Sequence, residues 1–487
     1  MRLVRLVVAA ALLSPVPATA LERVPAVLHV HSTLSTGELS LEQLGALAEQ
    51  RGVGALLLAE NYLLRIEYGL PPFRALTRVT REEPSILTLG AGAYLARVEE
   101  ARRAFPRLVI VPGVEVIPHY RWAGSPLSLG MTVTGTQKNL LVFGVSDAGA
   151  LRGLPATGNP HLARHDWRSL VEALPILLLA PGLVLVAKGR RRRVRLGVGF
   201  VAVRRRSWLA GSLLCLVGLA TLVRGWPFSV ERYPPYEDLG LAVHQELIDH
   251  VDRLGGVTVW SFPEARDSGR QRVGPVAVEW ETPPYPDDLH RSFRYTAFGG
   301  IYEDTTRFER PGEGWDRVLR QYVAGERSRP AWAVGEAGFH DFTAGKRFGN
   351  VQTVFLARQR SEAAVLEAMR HGRLYALHRA PRLALELREF AVAAGEAVAV
   401  SGESLVVARG AVVETRVAVD ASDGGRHDIR VALVRNGILV EAWAGATPLR
   451  AVHREVFDGH PAYVRVEVRA ATPHRLLTNP IFIRTSP

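Results

Sequence analysis

Two histidines separated by a single valine, His29-Val30-His31, are the first residues in this chain with an obvious chemical use. Side chains on an extended segment repeat every two residues, so both imidazoles fall on one face of a strand and can bind one divalent ion. Further ligand-type side chains stand just beyond apolar runs of strand length. Glu60 follows Ala55–Leu58, Glu115 follows Leu108–Val111 through Pro112-Gly113, and His340 follows Ala331–Val334. Imidazole with carboxylate is a donor set that suits zinc, manganese or iron. The sequence therefore predicts a metal site built from His29, His31, Glu60, Glu115 and His340.

Such a site needs a scaffold that brings strand ends together, and the pattern from Val27 onward supplies one. Ala26–Val30 reads as a short strand. Ser40 and Gln43 form a capping box, with Leu39 placed as a staple, opening a helix to about Gln50. Gly52 and Gly54 end that helix, and Ala55–Leu58 is a buried strand. Leu108–Val111, Leu140–Val145 and Val257–Trp260 repeat the strand signal; a helix over about 239–254 precedes the last, and Ser361 caps another that ends at Gly372. Alternating strands and helices predict a parallel sheet closed, or nearly closed, into a barrel, where chemistry collects at the C-terminal strand ends. From about Arg382 the pattern changes to period-two alternation at 413–419, 428–434 and 463–468, with Asn436-Gly437 marking a tight hairpin. That predicts an antiparallel β-sandwich over 382–487, an accessory module with no catalytic constellation.

The motifs His29-Val30-His31-Ser32, Ala59-Glu60-Asn61, Pro112-Gly113-Val114-Glu115, Phe262-Pro263-Glu264 and Gly338-Phe339-His340 fall in the order of those of the polymerase and histidinol phosphatase (PHP) family. Gly349–Leu377, with His371-Gly372-Arg373, resembles that family's closing segment. The resemblance implies a distorted seven-stranded β/α barrel holding up to three metal ions and hydrolysing phosphoesters. The C-terminal β-module is similar to that of the carbaryl-hydrolase branch, whose members also cleave carboxyl-type esters. Several ligand positions of the family are substituted. Glu60-Asn61 stands for an Asp-His pair, Asn139 for a histidine, Phe262-Pro263 for His-Pro, and Gly338-Phe339-His340 for Asp-x-His. Four or five remaining ligands suit one or two ions. Glu336 is a candidate replacement for the lost aspartate and His119 lies near Glu115, their ordinary readings being a surface carboxylate and a solvated histidine. The implied activity is attack by metal-activated water on a small-molecule ester, with Glu60 or His340 carrying the proton. The alternative is a binding or receptor protein with a degraded metal site. No G-x-S-x-G elbow and no Walker loop occurs.

The chain has 487 residues, long enough for two or three domains, and a formal charge of +12. Lys188, Arg190 to Arg193, Arg195 and Arg204 to Arg206 supply nine of those charges, and removing them leaves +3. Apolar runs at about 170–187 and 208–223 flank this cluster, each close to the roughly 17–20 residues a spanning helix needs. Arginine-rich connections stay on the cytoplasmic side, so the sequence predicts a two-helix transmembrane hairpin over 170–226 and no nucleic-acid partner. Met1-Arg2, an apolar run to Leu13 and Ala18-Thr19-Ala20 read as a secretory signal over 1–20. Both predictions place the barrel halves, 21–169 and 227–381, and the sandwich outside the cytoplasm, on the periplasmic side. One cysteine, Cys215, excludes an internal disulfide framework.

Overall fold

The structure, a computed structural model, describes residues 21–71, 73–188, 190–205, 207–342 and 346–485. The signal-type segment lies outside the described residues. The site-bearing half of the chain begins with β1 (Glu22–Val30), α1 (Leu41–Gln50), β2 (Ala55–Leu58), β3 (Glu60–Asn61), α2 (Ala91–Ala104), β4 (Val109–Val111), β5 (Gly113–Val116) and β6 (Leu140–Phe143). Two long apolar helical segments follow, the second of them α3 (Trp208–Gly225). Then come α4 (Ala242–Arg253), β7 (Val257–Trp260), β8 (Ala297–Ile301), α5 (Gly314–Val323), β9 (Trp332–Gly335), β10 (Val351–Ala357), α6 (Glu362–Arg370) and β11 (Leu374–His378). The Ser40–Gln43 capping box forms as the sequence predicts. Strands β2, β4, β6 and β7 are buried throughout and, Thr258 apart, apolar, as strands covered on both faces must be.

Pairing runs β10–β1–β2–β4 in one sheet and β9–β8–β7–β6–β5–β3 in the other. Pro112 separates β4 from β5 and Ala59 separates β2 from β3, so two continuous stretches of chain each serve both sheets. Proline offers no N–H to a ladder, which makes Pro112 a natural break. Beyond β9, Ala337 N–H donates to the Leu28 carbonyl, Phe339 N–H to His29 and His31 N–H to Phe339, all at 2.9 Å. The extension of the last site-bearing strand thus lies beside the first.

The sheet is not all parallel. β6 is antiparallel to both β5 and β7. The reason lies in its connections: 121–134 forms a two-stranded ribbon paired with 276–282, not a crossover helix that would carry the chain back to the far end. Running backwards, β6 presents its first residues at the same end as Glu115.

The predicted apolar segments are helices at Trp167–Ala187 and Trp208–Gly225, with mean hydropathy 2.3 and 1.6. Each is long and apolar enough to cross a membrane. The first accommodates Pro175 by passing through a short 3-10 stretch, Leu174–Leu178. They pack on small residues: a Cβ on Gly182 would lie 2.7 Å from Cys215 Sγ, and one on Gly211 2.8 Å from the Gly182 carbonyl oxygen. Their outer faces expose Leu209, Leu213 and Leu216. The arginine-rich connection, expected as a loop, is a β-ribbon of Arg190–Leu196 and Gly199–Arg205.

After β11 two sheets enclose a second apolar cluster that includes Leu385, Val417, Val431 and Val466. Asn436 and Gly437, with φ of 52° and 87°, make the expected hairpin turn between 428–435 and 438–446. This part is less separate than an accessory module suggests. Strand Arg475–Thr478 pairs with β11, so one sheet continues from the site-bearing half into the C-terminal part. The join is sealed by fully buried Asp316, on α5, which accepts from Arg465 Nε and Nη2 at 2.9 and 2.7 Å and from the Tyr463 hydroxyl at 2.8 Å. Removing one partner of a buried pair strands the other charge, at a cost of about 3–5 kcal/mol. Asp316→Ala is therefore expected to lower stability by that order in denaturant titration of the full chain. Asp316→Leu combined with Arg465→Met should recover most of the loss; equal stability of Asp316→Ala and the parent would show that the pair does not hold the join.

Candidate metal centre

His29 does not reach the site by simple strand alternation. Its φ is +71°, and the β1–β2 register slips between Leu28 and Val30, so it is the extra residue of a bulge. The bulge turns the His29 ring towards His31, which lies just past the strand. The two Nε2 atoms are 3.0 Å apart, and Glu115 Oε1 and Oε2 lie 3.4 and 3.5 Å from them. His29, His31 and Glu115 are the one group among the described residues whose His, Cys, Asp or Glu ligand atoms all fall within 4.8 Å of each other. All three side chains are buried.

Behind His29 stands Glu336, at the end of β9 and wholly buried. Its Oε1 lies 2.7 Å from His29 Nδ1 and accepts from Ser261 Oγ at 2.6 Å, while its Oε2 accepts the Phe262 N–H at 3.0 Å. Gly299 on β8 makes the room: a Cβ there would stand 2.0 Å from Glu336 Oε2. A surface position was the ordinary expectation for Glu336. Its place directly after a strand, like those of Glu60 and Glu115, was the signal for a deeper role.

The remaining expected residues are distributed as follows. His340 stacks on His31 with ring centroids 3.8 Å apart and sets Nδ1 3.1 Å from Thr36 Oγ1, so it adjoins the cluster without closing on it. Glu60 is turned away from the cluster. Its Oε1 accepts from Ser32 N–H at 3.0 Å and Ser32 Oγ at 2.5 Å, and its Oε2 accepts from Ser35 Oγ at 2.5 Å. Those bonds fix the turn that carries His31. His119 faces Thr157 Oγ1 and the Glu237 carbonyl oxygen, away from Glu115. Three residues near the cluster have local uses. Asn139 donates to Glu115 Oε1 at 2.6 Å, Asn61 donates to Thr36 Oγ1 at 2.7 Å, and Phe262 stacks on His29. Lys346, which sequence reading passed over, lies over the Phe262 ring and donates to the Gly338 carbonyl at 2.8 Å.

The electrostatics follow from burial and neighbours. Burial disfavours a charged His29, but the Glu115 and Glu336 carboxylates outweigh it and push the imidazole up to about 9. Burial alone would raise Glu115; His29, then His31 and His340, hold it down to about 2. Burial drives His31 well below the ordinary histidine range and lowers His340. The carboxylates thus favour positive charge at His29, in the space between two imidazoles and a carboxylate. A divalent cation fits the same place. Donors about 2.0–2.1 Å from one tetrahedral zinc lie about 3.3 Å apart, close to the three separations seen. Glu336 holds the far nitrogen of His29 as a carboxylate does behind a metal-bound histidine.

No protein family matches the sequence, and no curated protein does. Among solved structures, the chain is similar to a two-domain protein from Bacteroides vulgatus described as containing a predicted PHP-like metal-dependent phosphoesterase. The identity is 11% and the TM-score 0.36, covering 92% of this chain and 90% of that one. It is also similar to a protein of Bifidobacterium adolescentis named as a metal-dependent phosphoesterase, with 13% identity, TM-score 0.27, and 65% and 87% coverage. A third is an amidohydrolase from Chromobacterium violaceum solved with sulfate and no metal, with 12% identity, TM-score 0.25, and 66% and 89% coverage. What the site can do is decided by its own atoms.

Burial pushes the Glu60 carboxyl up to about 7, against the opposing hydrogen bonds from Ser32 and Ser35. A raised carboxyl favours the folded state fully below its ordinary range, and that contribution is lost as pH rises through the folded value. Glu60→Gln is expected to flatten the fall in melting temperature between about pH 4.5 and pH 7. An unchanged slope in a thermal shift series would rule out Glu60 as its source.

Proposed function

We propose that this protein is a metal-dependent hydrolase of phosphoesters or related esters, held on the outer side of a membrane by its helical hairpin. The observation that carries the reading is the convergence of His29 Nε2, His31 Nε2 and the Glu115 carboxylate in a buried site, with Glu336 braced behind His29. The strands that supply them form, in this reading, a distorted seven-stranded barrel of the PHP type, with a β-sandwich following. The hairpin reading rests on its apolar outer faces, its small-residue contact, the arginines at one end and Trp167 and Trp226 at the other.

His29, His31 and Glu115 would hold one zinc, manganese or iron ion. When bound, the ion supplies a Lewis acid that polarises the ester and acidifies water at neutral pH. The protein's own groups do the rest. Glu336 keeps a proton on His29 Nδ1 and so leaves Nε2 as the donor. Asn139 fixes one oxygen of Glu115 by donating to it. His340, stacked on His31 and tethered through Nδ1 to Thr36, keeps its other nitrogen for taking a proton from water or giving one to the leaving group. Lys346 places a cation beside the site that suits an anionic ester. Glu60, with both oxygens engaged by serines, is a positioning residue rather than a ligand. A second reading, a binding protein with a lost metal centre, draws on Phe262 and Asn139 standing where ligands occur in the family the motifs resemble.

Metal analysis of the purified full chain is expected to find about one divalent ion per chain. His31→Ala should abolish both the ion and the turnover of a panel of phosphoesters and carboxyl esters. Glu336→Gln should fold normally and bind the ion about 10–100-fold more weakly. A chain that takes up no zinc, manganese or iron and turns over nothing establishes the second reading instead.

A further inference from the structure

The foot of the hairpin stands on the same end of the strand set as the donor cluster. The chain leaving Glu115 goes directly there: Thr157 N–H donates to the Pro118 carbonyl at 3.0 Å, and Trp122 N–H to the Pro235 carbonyl at 2.7 Å. The chain leaving Asn61 arrives there too. Gly69 N–H donates to the Tyr236 hydroxyl at 3.0 Å, and the Arg74 guanidinium lies 4.2 Å from the Tyr236 ring centroid. Arg164 and Val230 exchange backbone hydrogen bonds of 3.0 and 2.8 Å, tying the two arms of the hairpin where they meet the folded domain. Two of the connections that leave site-bearing strands thus meet the segments that flank the hairpin.

Between these segments lies a cavity of about 470 Å³. Trp167, Trp226 and Phe228 line it from the hairpin, and Arg74, Arg78 and Arg224 supply cations. These guanidinium groups are poorly matched by acid. Arg224 has no carboxylate partner among the described residues, Arg74 reaches Glu172 only at 3.5 Å, and Arg78 reaches Glu67 only at 4.0 Å. Arg74 Nε is buried without a hydrogen-bond partner. Glu237, also in the lining, is already paired with Arg168 at 2.6 Å. Glu231 shares the lining, and burial and the Glu67 charge push its carboxyl up to about 8.

One unpaired and two loosely paired guanidinium groups next to indoles, at the level where an apolar hairpin would leave a bilayer, make a setting for phosphate above hydrocarbon. The tail of such a ligand can follow the exposed leucines of α3. We propose that this cavity seats the phosphate-bearing head group of a membrane phospholipid. The inference rests on the membrane reading of the hairpin and not on the hydrolase reading.

The test uses the full chain in nanodiscs of phosphatidylcholine containing phosphatidylglycerol. After release into detergent, phospholipid retained per chain is read by native mass spectrometry. The parent is expected to retain phospholipid, Arg74→Ala/Arg224→Ala to bind it about tenfold more weakly, and millimolar inorganic phosphate not to displace it. Circular dichroism confirms that the double variant is folded, and Arg74→Lys/Arg224→Lys should recover part of the binding. Three results overturn the proposal: equal retention by the parent and the alanine variant, displacement by inorganic phosphate alone, or failure of the chain to enter the nanodisc. The last also overturns the membrane reading. None of these readouts depends on turnover, so failure of the hydrolase reading would be seen separately, as absence of ester cleavage with lipid retention intact.

Discussion

Two buried carboxylates flanking one imidazole set the terms for the rest of this molecule. Glu336 and Glu115 lie on opposite sides of His29, and both are buried, Glu336 completely. An ionised carboxylate in such a place is tolerated only when paired and hydrogen-bonded. The pairing charge must therefore sit on or beside His29, either as a proton on its ring or as a cation held between it and His31. The surrounding structure serves this requirement. The bulge in β1 aims the ring, Gly299 clears space for Glu336, Ser261 and the Phe262 N–H satisfy the remaining carboxylate valences, and Asn139 takes up Glu115. Either charge would answer the same two carboxylates, which is why the donor set of a metal site and that of a buried ion pair coincide here.

The residues around the cluster make sense in the same terms. Phenylalanine at 262 cannot ligate, but it packs a flat apolar face against His29 and lies under Lys346. Asn139 offers an amide and so donates to Glu115. Glu60 holds the Ser32–Ser35 turn through its hydrogen bonds to the two serines.

Much of this was legible from residue types and spacing. The H-x-H pair, the carboxylate after Pro112-Gly113, the capping box at Ser40 and the Asn436-Gly437 turn are local signals, and each appears where the sequence put it. The reason offered for the histidine pair did not hold, because alternation along a strand does not describe a residue with a left-handed backbone. The direction of β6 was not legible, since its hydrophobic run reads the same in either sense and only the ribbon before it decides. Glu336 was underrated because burial of a carboxylate depends on Gly299 and Ser261, which are distant in sequence and join it only across strand ends. The continuity of β11 with Arg475–Thr478 was hidden for the same reason: a period-two pattern marks a strand without naming its partner.

The placement of the helical hairpin follows from these constraints as well. An insertion whose two ends return side by side disturbs a sheet least when it replaces a connection, and here it occupies the connection between β6 and β7. Because β6 runs backwards, the chain leaving it emerges at the end opposite the donors and must travel along the domain before continuing. The bonds of 157 to Pro118 and of Asn159 to Tyr62 and the Leu154 carbonyl record that passage. It arrives among the long connections after β3 and β5. The reversed strand brings Asn139 to Glu115, and the return of the chain along the domain brings the helical hairpin back to that same end.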